Sequence, residues 1–278
     1  MIYLLLAIFS SAMVSIVMRL STGRVKDGMG MLSMNYLCCL ALSLAYTGVS
    51  NAFPALKGLG RTLFMGSING VLYLLGFVLL QVNVRKNGVV LSGVFMKLGL
   101  LVPMVMSVLL FAEMPSVIQT VGFLLAVGAI VLINYEKDDK NSRFGFGLIL
   151  LLLAGGSGDA MSKVFNEIGA PELLDQFLLY TFFSAFLLCT AMTVVKKEKI
   201  GLKEVLFGFL IGIPNFFSAK FLLKALESIS AVIVYPTYSV ATLLVITLAG
   251  VLLFKEKLKN RRWAALGVIL VSLVLLNI

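Results

Sequence analysis

Apolar residues fill this chain in long blocks rather than at the alternating or helical spacing of a half-buried surface. Ten blocks stand out, at 2–20, 29–50, 61–82, 87–111, 116–135, 144–166, 172–195, 203–224, 229–254 and 261–277. Each approaches the roughly 20 residues that carry a helix across a hydrocarbon core at about 1.5 Å per residue. The connections are short, and most hold charge or a helix breaker, as in Lys26-Asp27-Gly28, Pro115, Pro171 and Lys196–Gly201. The pattern predicts an all-α integral membrane protein with ten transmembrane helices and no soluble domain. The first block has no basic residue before it and ends at Arg19. It is expected to be a spanning helix and not a cleaved signal.

The blocks repeat. Displaced by 143 positions, Asn87–Asn134 lies on Ser230–Asn277 without a gap, and 12 of the 48 pairs are identical. Apolar segments share identities by chance, so the polar matches Glu113/Glu256 and Asn134/Asn277 weigh most. The offset maps the fourth and fifth blocks onto the ninth and tenth. Ser15–Arg19 also matches Asp159–Lys163 when one residue is inserted. A five-helix unit has an odd number of crossings, so its second copy enters the bilayer from the opposite side. The expected units are 1–135 and 144–278, inverted around a central cavity.

Composition sharpens this picture. Hydrophobic residues make up 60% of the chain and charged residues 13%, too little polar surface for a water-soluble globule. The net charge of +10 sits in clusters between blocks, the distribution of a polytopic protein and not of a nucleic-acid groove. Of the 23 basic residues, 17 lie in odd-numbered connections and 4 in even-numbered ones. That bias puts the odd connections in the cytoplasm and both termini outside. Cys38, Cys39 and Cys189 lie within apolar blocks and read as packing residues, and the absence of His excludes His-based catalysis and metal sites. No enzyme constellation, cofactor or metal is expected.

Ten helices, inverted five-helix repeats and the Phe-x-Glu elements Phe111-Ala112-Glu113 and Phe254-Lys255-Glu256 resemble the drug/metabolite transporter superfamily, in particular its EamA-like ten-helix branch. The resemblance implies a basket in which helices one to four and six to nine line a cavity, with helices five and ten outside it. It also implies small organic solutes such as amino acids, nucleotide sugars, sugar phosphates or amphipathic drugs. Many members place both termini in the cytoplasm, whereas the charges here place them outside.

Ionisable groups at membrane depth are costly, so each is a functional candidate. Lys97 lies about 18 Å along its block past Arg85, with Gly93, Val94, Leu100 and Leu101 on its own face. Its partner must come from another helix, water or substrate. Asp159 follows Gly155-Gly156-Ser157-Gly158 and sits at about the depth of Lys220. Two roles fit Asp159: an ion pair with Lys163 or Lys220 that fixes packing, or a coupling proton acceptor. Lys163 and Lys220 are also placed to snorkel to the headgroups. The glycine run reads as a close-packing surface, one that also permits unwinding beside Asp159. Uncharged candidates are Asn35, Tyr36, Asn69, Tyr73, Ser92, Asn215, Tyr235 and Tyr238, several next to Pro214 or Pro236. A proline inside a span frees a carbonyl that needs a donor or water.

The reading is a secondary transporter that moves a small organic metabolite across the cytoplasmic membrane by alternating access, as monomer or homodimer in the lipid bilayer. If Lys97, Asp159 and Lys220 all face the cavity, its charge of +1 favours a carboxylate or phosphate. The competing readings are an exporter of hydrophobic or cationic compounds and a lipid-handling or structural membrane protein.

Overall fold

A computed structural model describes residues 1–102, 105, 116–134, 144–228, 231–256, 260–275 and 278. Among these, ten α-helices follow one another: α1 (Ile2–Ser21), α2 (Gly28–Thr47), α3 (Leu59–Asn87), α4 (Val89–Lys97), α5 (Val117–Asn134), α6 (Phe144–Ile168), α7 (Leu174–Val195), α8 (Leu202–Ser228), α9 (Ala231–Leu252) and α10 (Asn260–Leu275). No strand occurs among the described residues. The expected blocks agree with the helices to within a few residues, except that the end of the fourth block (87–111) lies outside the described residues. The main difference is α3, which runs on through Arg85 and Lys86 to Asn87.

Within the described residues, α1, α2, α3, the stretch Pro171–Val195 and Leu202–Leu222 are long and apolar enough to cross a membrane. Large apolar side chains also point outward, among them Phe9, Phe64, Leu124, Phe209 and Leu248. Water penalises such a surface and hydrocarbon does not. The inside is packed as a protein core: Tyr36, Phe77, Phe182, Phe216 and Leu80 are buried together between α2, α3, α7 and α8.

The halves interlock through helix pairs, α1 and α2 on α8, α3 on α6 and α7, and α4 on α6 and α9. Close approach depends on missing side chains. A Cβ on Gly156 would lie 2.2 Å from the Gly99 carbonyl, and one on Gly70 would lie 2.5 Å from that of Thr181. Helix α5 packs against α10, where the Ser272 hydroxyl donates to the Gly122 carbonyl at 2.7 Å. This pair stands at the side of the basket.

One sequence expectation is corrected. The glycine run does not unwind, because α6 is continuous from Phe144 to Ile168. Neighbouring backbone packs so closely on Gly156 that the helix is held. The irregularity falls in the fourth helix, where 3₁₀ geometry over Leu98–Leu100 follows Lys97 directly. The ends that flank the odd-numbered connections share one face. There Arg19 donates to the Val84 carbonyl, Gln81 to that of Gly28 and Asn83 to that of Gly147. At the other face Gln176 donates to the Asn51 carbonyl and Tyr180 to that of Ala52.

Candidate functional site

A cavity of about 160 Å³ lies between α1, α3, α4, α6, α8 and α9. Its apolar wall is built by Leu72, Phe77, Met96 and Leu222, and hydroxyls enter from Ser11, Ser15, Ser218 and Ser239. Among the described residues, none of the lining comes from α5 or α10, in keeping with their scarcity of polar groups. Helices α2 and α7, which the resemblance placed around the cavity, stand behind this wall and support it.

Lys97 ends α4, about 13 Å from the start of that helix, and its ammonium enters the cavity. It donates to the Ser11 hydroxyl at 3.3 Å and lies 4.1 Å from the centre of the Tyr238 ring. The ring face offers a cation partial negative charge without neutralising it. No described carboxylate comes within 4 Å of this ammonium; the described ion pairs are Arg19–Glu256 and Lys220–Asp175. The 3₁₀ turn that follows leaves Lys97 at a break in helical geometry.

Asp159 lines the same cavity from α6. Its side chain is exposed, and it shows part of that surface to the chamber. The Lys97 charge acts on it from across the space. The small residues before it make room: the Tyr73 ring lies 3.4 Å from where a Gly158 Cβ would be.

Lys220 goes elsewhere. Its ammonium is 2.6 Å from the Asp175 carboxylate and 5.1 Å from the centre of the Tyr46 ring, and it does not line the cavity. The proposed pairing of Asp159 with Lys220 is therefore corrected: Asp175 is the counter-ion. The charged groups on the described wall are one Lys and one Asp, which removes the expected cavity charge of +1. The side chain of Lys163 lies outside the described residues.

The uncharged candidates divide into wall and support. Tyr73, Asn215 and Tyr238 line the cavity. The Tyr238 hydroxyl is 2.9 Å from that of Ser218, which fixes the ring beneath Lys97. Asn215 donates to Asn35 at 3.3 Å, so buried Asn35 holds a wall residue from behind. Asn69 donates to Thr181 at 3.3 Å and ties α3 to α7. Tyr36 is fully buried with its ring edge-on to Phe77. The Ser92 hydroxyl donates to the Gly88 carbonyl and takes no part in the wall. Tyr235 lies on α9, and its side chain is outside the described residues.

Ser11, Ser15 and Ser218 escaped the sequence reading, since a serine in an apolar helix carries no distinctive signal. The spacing of Ser11 and Ser15, one helical turn apart, was the available hint. Among the described residues no cluster of three His, Cys, Asp or Glu is placed to hold a metal ion. The arrangement provides a polar chamber with one fixed cation, one carboxylate, hydroxyls and aromatic faces.

Comparison with known proteins agrees. An uncharacterized protein of Haemophilus influenzae (strain ATCC 51907 / DSM 11121 / KW20 / Rd) is 25% identical over 280 residues, covering 96% of this chain and 93% of that protein. A protein of known crystal structure superposes with a TM-score of 0.65 at 15% identity, over 99% of this chain and 94% of the other, a likeness of fold. The EamA-like transporter family matches residues 143–278. Through those residues, its second half, the chain is similar to the EamA-like transporter family, whose members are membrane transporters of the drug/metabolite type and not enzymes.

Proposed function

We propose that the protein is a secondary transporter that moves a small organic metabolite across the cytoplasmic membrane by alternating access. Lys97 is its principal recognition group, and the odd-numbered connections lie in the cytoplasm. The observation that carries this reading is the environment of Lys97. A cation in a membrane interior costs several kcal/mol unless paired, and here it meets a hydroxyl and a ring face in a cavity. A carboxylate or phosphate on the solute would complete its coordination. Tyr73, Tyr238 and Phe77 would take an apolar body. Asp159 serves as counter-charge for a basic group on the solute or as the acceptor of a coupling proton.

The two halves, 1–135 and 144–278, act as inverted repeats that rock around this chamber. Two observations support the division: the 143-residue offset, and a family match that begins one residue before α6. The functional unit is a monomer or homodimer. The testing experiment is thermal unfolding of the detergent-solubilised protein against a metabolite library. Anionic solutes should raise the midpoint of the native chain and fail to do so for Lys97→Gln. Stabilisation by cationic or uncharged compounds alone, equal in both proteins, would remove Lys97 from recognition and favour an exporter of hydrophobic or cationic compounds.

A further inference from the structure

Away from the chamber, on the face where the odd-numbered connections meet, carboxylates of one half seat on helix ends of the other. Glu256, just past α9, accepts the Val89 N–H at 2.8 Å and the Val90 N–H at 3.3 Å. These amides open α4. Glu198, between α7 and α8, accepts the Met29 and Gly30 N–H groups at 2.9 and 3.0 Å, in the first turn of α2. Neither α2 nor α4 has a side-chain cap from its own N-cap residue. Their free amides and positive dipole ends are satisfied from the other half of the chain.

The surroundings are shaped for these contacts. Gly88 has φ +82°, and a Cβ there would lie 2.7 Å from both Glu256 oxygens, so glycine is needed for conformation and for space. Arg19 adds its guanidinium 3.6 Å from Glu256. Two further bonds cross the same face: Glu204 accepts the Lys26 N–H at 3.2 Å, and Asp27 accepts the Lys199 N–H at 3.0 Å. At the opposite face, the described side-chain bonds across the halves end on backbone carbonyls, those of Asn51, Ala52 and Ile168. Among the described residues, carboxylates seated on helix N-termini across the halves occur at the Lys/Arg-rich face.

We infer that Glu256 and Glu198 form the gate of the Lys/Arg-rich face, closed in this structure, and that releasing α4 and α2 from them opens the chamber to that side. The inference rests on the alternating-access reading and adds to it the groups that set the balance between states. Helix α4 carries Lys97 at its far end, so the gate and the recognition cation share one short rigid element. Freed amides at a helix start can be rehydrated at the membrane surface, which makes a clasp of this kind reversible. Glu256 and Glu198 are positioning residues, acting on the chamber through α4 and α2.

The test uses the full chain in sealed vesicles of each orientation, with Met96 on the chamber wall replaced (Met96→Cys). A membrane-impermeant maleimide is added from one side at a time. Labelling of the chain without that replacement is subtracted, because Cys38, Cys39 and Cys189 are native. Adding Glu256→Gln or Glu198→Gln should raise labelling from the Lys/Arg-rich side and lower it from the other. The expected change in the ratio of the two rates is about tenfold, the size of one charge-assisted clasp reduced to a neutral contact. A structural role alone would raise both rates together through loosening, and that result would overturn the inference, as would an unchanged ratio. Absence of labelling from either side in every variant would instead overturn the two-sided chamber beneath it.

Discussion

Lys97→Met should leave the fold as stable as it is now, or slightly more so, while removing recognition. The side chain's contacts are few. The bond to Ser11 is long, at 3.3 Å, and contributes about 1 kcal/mol. The Tyr238 ring at 4.1 Å contributes about 1 kcal/mol at a half-buried site. Against this gain of about 2 kcal/mol stands a cost of roughly 2.5–3.5 kcal/mol for an ammonium at mid-membrane depth, at the lower end because the group faces a cavity. Methionine keeps the stem's volume and carries no charge. The net effect is within about 1 kcal/mol of zero, on the stabilising side. Unfolding by sodium dodecyl sulfate in mixed micelles, followed by circular dichroism, measures it. A loss of about 2 kcal/mol or more would mean that Lys97 is held for packing, and the reasoning that assigns it to a solute would fail.

Other substitutions separate wall from support. Lys220→Met breaks a contact with Asp175, whose side chain is 42% exposed; solvent screening limits the loss to under about 1 kcal/mol. Solute binding should not change, which a midpoint shift with the same solute checks. Gly156→Ala puts a methyl 2.2 Å from the Gly99 carbonyl and should cost about 1–3 kcal/mol by overpacking. Gly267→Ala, with nothing within 4 Å, should be neutral or stabilise by up to about 1 kcal/mol. The same micelle titration tests both. Tyr238→Phe keeps the ring under Lys97 and should hold apparent affinity within about threefold, whereas Tyr238→Leu should weaken it about five- to tenfold. Equal losses in the two would show that the Ser218 bond, and not the ring, matters.

The helices were legible because a membrane permits only one kind of element for such apolar blocks. Lys97 and Asp159 were legible for the same reason: a charge within an apolar run has few innocent explanations. Partners were less so. Lys220 and Asp159 share a calculated depth along their helices, yet depth carries no azimuth, and Asp175 at the head of α7 was the nearer carboxylate. Gly155–Gly158 read as a packing surface that also permitted a hinge, and contacts from Gly99 and Gly76 accord with packing. The break after Lys97 had only Gly99 to announce it. The Phe-x-Glu element was visible as a repeated pattern, but that Glu256 caps a helix 166 residues earlier in the chain is a property of the folded state. Its counterpart Glu113 lies outside the described residues.

The most direct measurement of the central claim is exchange across proteoliposomes. Purified protein is reconstituted into vesicles loaded with a defined metabolite mixture, and release into an external trap is followed by mass spectrometry. The native chain should pass a small set of carboxylate- or phosphate-bearing solutes, and Lys97→Gln should slow that passage at least about tenfold, the worth of one charge-assisted contact. Release no faster than from empty vesicles, or release by Lys97→Gln at the native rate, would contradict the account.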